Sequence, residues 1–116
     1  MQYEIIPVTT FAQNCSLLWC EATRHAAVID PGGDLDKVLA RVDALQLELG
    51  QILLTHAHID HAGGAGELAC RYDIPIVGPH QADRFWIDAL TEQSRMFGFP
   101  PAQTFEPSRW LEQGDL

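Results

Sequence analysis

His56, His58, Asp60 and His61 place four metal-binding side chains within six residues. On an extended segment residues two apart project the same way, so His56 and His58 are able to grip one cation. Asp60 and His61, where the chain turns toward a helix, face a second. Imidazole combined with carboxylate suits zinc, and iron or manganese as well. Gly63, Gly64 and Gly66 follow at once, and residues without a Cβ let the backbone turn tightly and crowd a metal or ligand.

Such a run must be aimed by the elements around it. Residues 51–55 read as a short apolar strand entering the cluster, and the glycines lead into a helix that reaches about residue 72. Upstream, strands are expected over 3–8, 16–20 and 26–29, with 21–25 as a hairpin turn, an antiparallel meander. Asp30-Pro31-Gly32-Gly33-Asp34 is dense in turn formers. Asp34 is placed to cap a helix carrying Leu35, Val38, Leu39, Val42 and Leu45 on one face and ending near Gly50. Downstream, 74–77 reads as a buried strand, Gly78-Pro79-His80 as a turn, and 82–90 as a helix. Past Thr91 the pattern weakens through Pro100, Pro101 and Pro107, and 110–116 reads as the start of another strand. Strands and helices alternate, so the expected class is α/β, in a single domain spanning 1–116.

Composition narrows the chemistry. The 116 residues are 47% hydrophobic and 20% charged, ordinary globular usage. Sixteen acids against seven bases give a net charge of −9, with no basic stripe. Nucleic acid and anionic membrane surfaces are therefore excluded as expected partners, because both are bound through clustered Lys and Arg. A small molecule or a metal cation fits the charge. The first 23 residues contain no Lys or Arg, so the basic start of a secretory signal is missing and a cytoplasmic location is expected. Cys15, Cys20 and Cys70 are an odd number at no metal spacing and read as buried reduced thiols. His25, His80 and Arg95 read as exposed surface residues.

Thr55-His56-Ala57-His58-Ile59-Asp60-His61, preceded by a strand and followed by Gly63-Gly64, resembles the signature of the metallo-β-lactamase-fold hydrolases. Val28-Ile29-Asp30-Pro31-Gly32-Gly33 resembles the segment after the first meander of these enzymes, and Trp110-Leu111-Glu112-Gln113-Gly114-Asp115 the stretch before their next strand pair. Ile5 to Thr9 with Asn14-Cys15, and Ser94 to Gly98, look most like the YcbL-type, glyoxalase II-like subgroup.

The resemblance implies the N-terminal half of an αββα sandwich, a mixed sheet with helices on one face. It also implies a two-metal thioester hydrolase that cleaves hydroxyacylglutathione with metal-activated water. By position, His56 and His58 would hold the first metal and Asp60 and His61 the second. Asp60 would also hydrogen-bond the attacking water, and Asp30 and Thr55 would lie behind the ligands. The two metals would be divalent, zinc first, with iron or manganese as substitutes.

Members of this family are longer, and their remaining ligands come from segments that follow this stretch. The expectation is therefore a domain cut before its second half, binding metal weakly and having little activity alone. It should self-associate or pair with the missing half. Two other readings stand beside this one: a mononuclear iron persulfide dioxygenase on the same fold, and a non-catalytic metal-binding or assembly module.

Overall fold

The computed structural model describes residues 1–9, 11–100 and 102–114. Five strands form one sheet in chain order: β1 (Gln2–Val8), β2 (Gln13–Trp19), β3 (His25–Ile29), β4 (Glu48–Leu53) and β5 (Ile76–Val77). The first three pair antiparallel as a meander, while β3–β4 and β4–β5 are parallel. The change follows from connection length, since the helix α1 (Leu35–Ala44) lies between β3 and β4, as a parallel crossover requires.

Period-two burial divides the sheet into two faces. Ile6, Val8, Cys15, Leu17, Val28 and Ile52 are buried on one of them. They join Val38 and Val42 of α1, Ile59 of α2 (Ile59–Ala62) and Leu68 of α3 (Ala65–Tyr72) in one core. Each fully buried aliphatic side chain there contributes about 1.5–3 kcal/mol. The opposite face carries Tyr3 and Ile5, 69% and 50% exposed, beside their register partners Leu18 and Ser16. The sheet is thus covered by helices on one side, the α/β layering expected.

Several boundaries differ from the sequence reading. The first helix stops at Ala44 rather than near Gly50. Gln46 takes the left-handed conformation, with φ of 55°. Leu47 N donates to Val42 O and Gln46 N to Asp43 O, so the helix closes in a Schellman motif with glutamine where glycine is usual. Gly50 instead sits within β4. Ala26 pairs with Leu49 and Ala27 with Gln51, which leaves Gly50 as the extra residue of a β-bulge. Asp34 precedes α1 but does not cap it; its Oδ2 accepts from Thr9 N at 2.8 Å.

Beyond β5 a 3-10 turn (Gln81–Asp83) leads into α4 (Arg84–Asp88) and α5 (Leu90–Met96). The helical segment thus runs past Thr91. Its pattern was hidden because α5 buries Gln93 and Ser94 alongside Leu90, and polar residues on an inner face erase the amphipathic signal. Over 110–114 no strand forms; the chain touches the sheet through a Val77–Arg109 bridge. Pro101, and the part of the 110–116 expectation carried by Asp115 and Leu116, lie outside the described residues. The cysteines also differ: Cys15 is buried, but Cys20 is half-buried and Cys70 exposed. Burial, followed by the nearby Asp30 charge, pushes the Cys15 thiol up to about 12, so it is inert packing.

Candidate metal centre

The parallel ladder ends at Leu54, whose N–H reaches Val77 O, and the chain then runs at the end of the sheet through Thr55 to α2. Asp30 leaves β3 beside it, its own N–H bonded to Leu53 O at 2.9 Å. Asp30 is 5% exposed and its side chain is fully engaged. Oδ1 accepts from Thr55 N at 2.8 Å, while Oδ2 accepts from Thr55 Oγ1 at 2.6 Å and lies 3.0 Å from His61 Nδ1.

These bonds settle the tautomers of two imidazoles. A carboxylate only accepts, so His61 Nδ1 carries a proton, and in the neutral ring Nε2 is the nitrogen with the lone pair. The Thr55 hydroxyl proton is given to Asp30, so Thr55 Oγ1 has only a lone pair for His56 Nδ1, 3.0 Å away. His56 Nδ1 is then the donor and its Nε2 is also free to bind. The two rings lie 3.9 Å apart between centroids, and His58 meets His56 edge-on at 5.0 Å. Burial first, then the neighbouring His61, holds His56 below the ordinary imidazole range, with the Asp30 charge opposing. His56 thus favours the neutral form that a metal requires.

The glycines have a different use from the one expected. Gly63 and Gly64 are in right-handed conformations; what they permit is close backbone packing. A Cβ on Gly63 would meet Gly32 O at 2.5 Å, and one on Gly64 would meet Pro31 O at 2.7 Å. Gly64 N also bonds Pro31 O. The Asp30–Gly33 turn and the junction between α2 and α3 are therefore interlocked, which brings Asp30 against His61. Gly66 faces Gln103 and serves the packing of the later segment.

The α4–α5 region supplies a wall that sequence patterning missed. Trp86 meets the His58 ring edge-on at 4.6 Å. Asp83 Oδ2 accepts from Ala57 N at 3.1 Å, and Gln93 Oε1 accepts from Ile59 N at 3.0 Å. Nothing in their spacing marks Asp83 or Gln93; a polar residue on the inner face of α5 is the one signal available. His80, His25 and Arg95 lie outside the cluster. His80 Nδ1 accepts from Ala82 N, His25 pairs with Glu48, and Arg95 with Glu92, all exposed.

In kind, the donors fit a divalent cation: imidazole nitrogens with fixed lone pairs beside a carboxylate. A tetrahedral zinc with bonds of about 2.1 Å sets its ligand atoms about 3.4 Å apart. His61 Nε2 and Asp60 Oδ2 are 3.5 Å apart. In number the set is short, since among the described residues no group of three or more His, Cys, Asp or Glu is gathered to hold a metal.

Residues 8–116 match the family model described as the metallo-beta-lactamase superfamily. The chain is 44% identical over 113 residues to hydroxyacylglutathione hydrolase GloC of Haemophilus influenzae, covering 97% of this chain and 53% of that protein. Among solved structures, TTHA1623 in a di-iron-bound form superposes with a TM-score of 0.85 at 28% identity, over 97% of this chain and 56% of the other. The BLEG-1 B3 metallo-beta-lactamase does so with a TM-score of 0.81 at 30% identity, over 97% and 54%. The chain spans about half the length of the relatives it matches. Among the described residues no helix is long and apolar enough to cross a membrane. With its mixed sheet, its interlocked Asp30 turn and its histidine run at the end of β4, the chain belongs to the metallo-beta-lactamase superfamily.

Proposed function

We propose that this chain carries the first set of metal ligands of a hydroxyacylglutathione hydrolase, a cytoplasmic enzyme that cleaves a thioester to a hydroxy acid and a free thiol. His56 and His58 belong to one metal site, and Asp60 and His61 to the other. The observation that carries the reading is the relay from Asp30 through Thr55 to His56, and directly to His61. In the neutral rings it places the proton on Nδ1 and leaves Nε2 as the nitrogen for a metal. Similarity to a hydroxyacylglutathione hydrolase over 97% of the chain supports the substrate class.

Two divalent cations, when bound, supply Lewis acidity that brings the pKa of water down to about 7 and polarises the substrate carbonyl. The chain's own residues do the rest of what can be assigned to it. Asp30 holds the protons on the outer nitrogens of the rings, directly at His61 and through Thr55 at His56. Asp60, 22% exposed at its side chain, offers a carboxylate oxygen to orient the attacking water and accept its proton. Trp86 packs its ring against His58 on one side of the cluster.

Each site has two donors here, and a catalytic zinc has three as a rule. The remaining ligands come from outside these residues, from the second half that a longer chain or a complementary one would carry, or from another surface docked on the open sheet face. Calorimetric titration with zinc tests this. Weak binding that disappears in His56→Ala and His61→Ala is expected; tight binding of two equivalents, or none at millimolar zinc, would refute it. Hydrolysis of a hydroxyacylglutathione, measured by thiol release, is expected to be at background for the chain alone.

A further inference from the structure

Three backbone N–H groups at alternate positions of the site run are taken by side-chain oxygens from three separate segments. Thr55 N donates to Asp30 Oδ1, Ala57 N to Asp83 Oδ2 and Ile59 N to Gln93 Oε1, at 2.8, 3.1 and 3.0 Å. In a sheet such alternate donors would meet the carbonyls of a neighbouring strand. Past the end of β4, side chains take the place of that strand. The residues between them, His56 and His58, project the imidazoles.

Gln93 is 5% exposed, and both ends of its amide are paired. Besides accepting from Ile59 N it donates through Nε2 to Trp86 O at 2.9 Å, and the Trp86 ring bears on His58. A leucine would fill the same inner position of α5 without an amide to desolvate. The amide is thus suited to joining the site run to the wall beside it. Asp83 adds a charge-assisted bond to the one N–H that lies between the two histidines.

We propose that Asp83 and Gln93 are positioning residues for His56 and His58, fixing the backbone at Ala57 and Ile59 and hence the directions in which the two rings point. The inference rests on the metal-site reading above for its consequence, but not for its geometry.

The test uses the 116-residue protein with Asp83→Ala, Asp83→Asn and Gln93→Leu variants, titrated with Zn2+ while ring nitrogen NMR signals of His56 and His58 are followed. Asp83→Asn keeps an acceptor oxygen and is expected to bind within about threefold of wild type, while Asp83→Ala and Gln93→Leu weaken zinc by about tenfold or more. Wild-type affinity in folded Asp83→Ala and Gln93→Leu would overturn the proposal, as would equal losses in Asp83→Asn and Asp83→Ala. If the wild-type rings ignore Zn2+, the metal reading fails and the metal-free protein decides. Loss of the His58–Trp86 nuclear Overhauser contact and of slow exchange at the Ile59 amide in Gln93→Leu, and of slow exchange at the Ala57 amide in Asp83→Ala, supports positioning; their retention overturns it.

Discussion

The carbonyl oxygen of Asp60 lies 1.8 Å from where a Cβ on Gly32 would stand. No rotamer change relieves that contact, because both partners are backbone. Gly32→Ala must push the Asp30–Gly33 turn away from α2, and with it the Asp30 carboxylate away from His61. The substitution is expected to cost about 3 kcal/mol or more in urea unfolding. Gly98→Ala is the control. Gly98 has φ of 71° and open space around it, so only left-handed strain applies there, about 1 kcal/mol. Equal costs at the two positions would show that the interlock is not rigid.

Thr55→Val keeps the shape of the side chain and removes the hydroxyl. Asp30 Oδ2 then loses its 2.6 Å donor, and His56 Nδ1 loses the lone pair that selects its tautomer. We expect a loss of about 1–2 kcal/mol in stability and a ring nitrogen spectrum in which His56 becomes a mixture of tautomers. Thr55→Ser should keep the wild-type spectrum. An unchanged His56 spectrum in Thr55→Val would separate Thr55 from the relay.

Asp30→Asn tests the other end. An amide occupies the same volume, but its NH2 cannot accept from both Thr55 and His61 as the carboxylate does. Zinc binding at His61 is expected to fall by about 10- to 100-fold, with His61 free to take either tautomer in the ring nitrogen spectrum. A variant that holds both the tautomer and the affinity would leave Asp30 as a turn residue only.

Acid stability should report a pair far from the site. Arg41 grips Glu4 through two bonds, at 2.6 and 3.0 Å, and holds its carboxyl below the usual carboxylate range. A folded pKa below the unfolded one means the contribution is full above the unfolded value, about 4.3, and is lost as pH falls through the folded value. Glu4→Gln should therefore melt lower than wild type at pH 6, by an amount worth less than about 1 kcal/mol for so solvent-accessible a pair. The gap should narrow as pH falls below the unfolded value and through the folded one. A gap that does not narrow with acid would assign the effect to packing instead.

What could be read from the sequence, and what could not, divides along a physical line. The meander, the turn at Asp30 and the run from His56 to His61 are local: period-two burial, turn formers and ligand spacing act over a few residues. The misses are places where tertiary contact overrides local preference. Gln46 ends α1 in a conformation glycine usually takes, and Gly50 is an insertion in a ladder rather than a stop signal. Asp83 and Gln93 were invisible because their value lies in the N–H groups of Ala57 and Ile59, distant by 26 and 34 residues.

The uncovered sheet face yields the last prediction. Neighbours on β1 differ sharply: Ile5 is 50% exposed and Ile6 8%, because successive strand residues face opposite sides. Ile5 stands with Tyr3 on the open face, an apolar surface of the kind that marks an interface. The protein is expected to self-associate with rising concentration in sedimentation velocity, and Ile5→Lys is expected to reduce that while changing unfolding free energy by less than about 1 kcal/mol. Lysine is the informative choice. With a net charge of −9, an added acid would weaken association by general repulsion, whereas an added base lowers that repulsion and acts only by spoiling the apolar face. Ile6→Lys, one residue along, should instead unfold the chain by burying an unpaired charge. If Ile5→Lys associates as strongly as wild type, the contact lies elsewhere and the open face is not where a second surface docks.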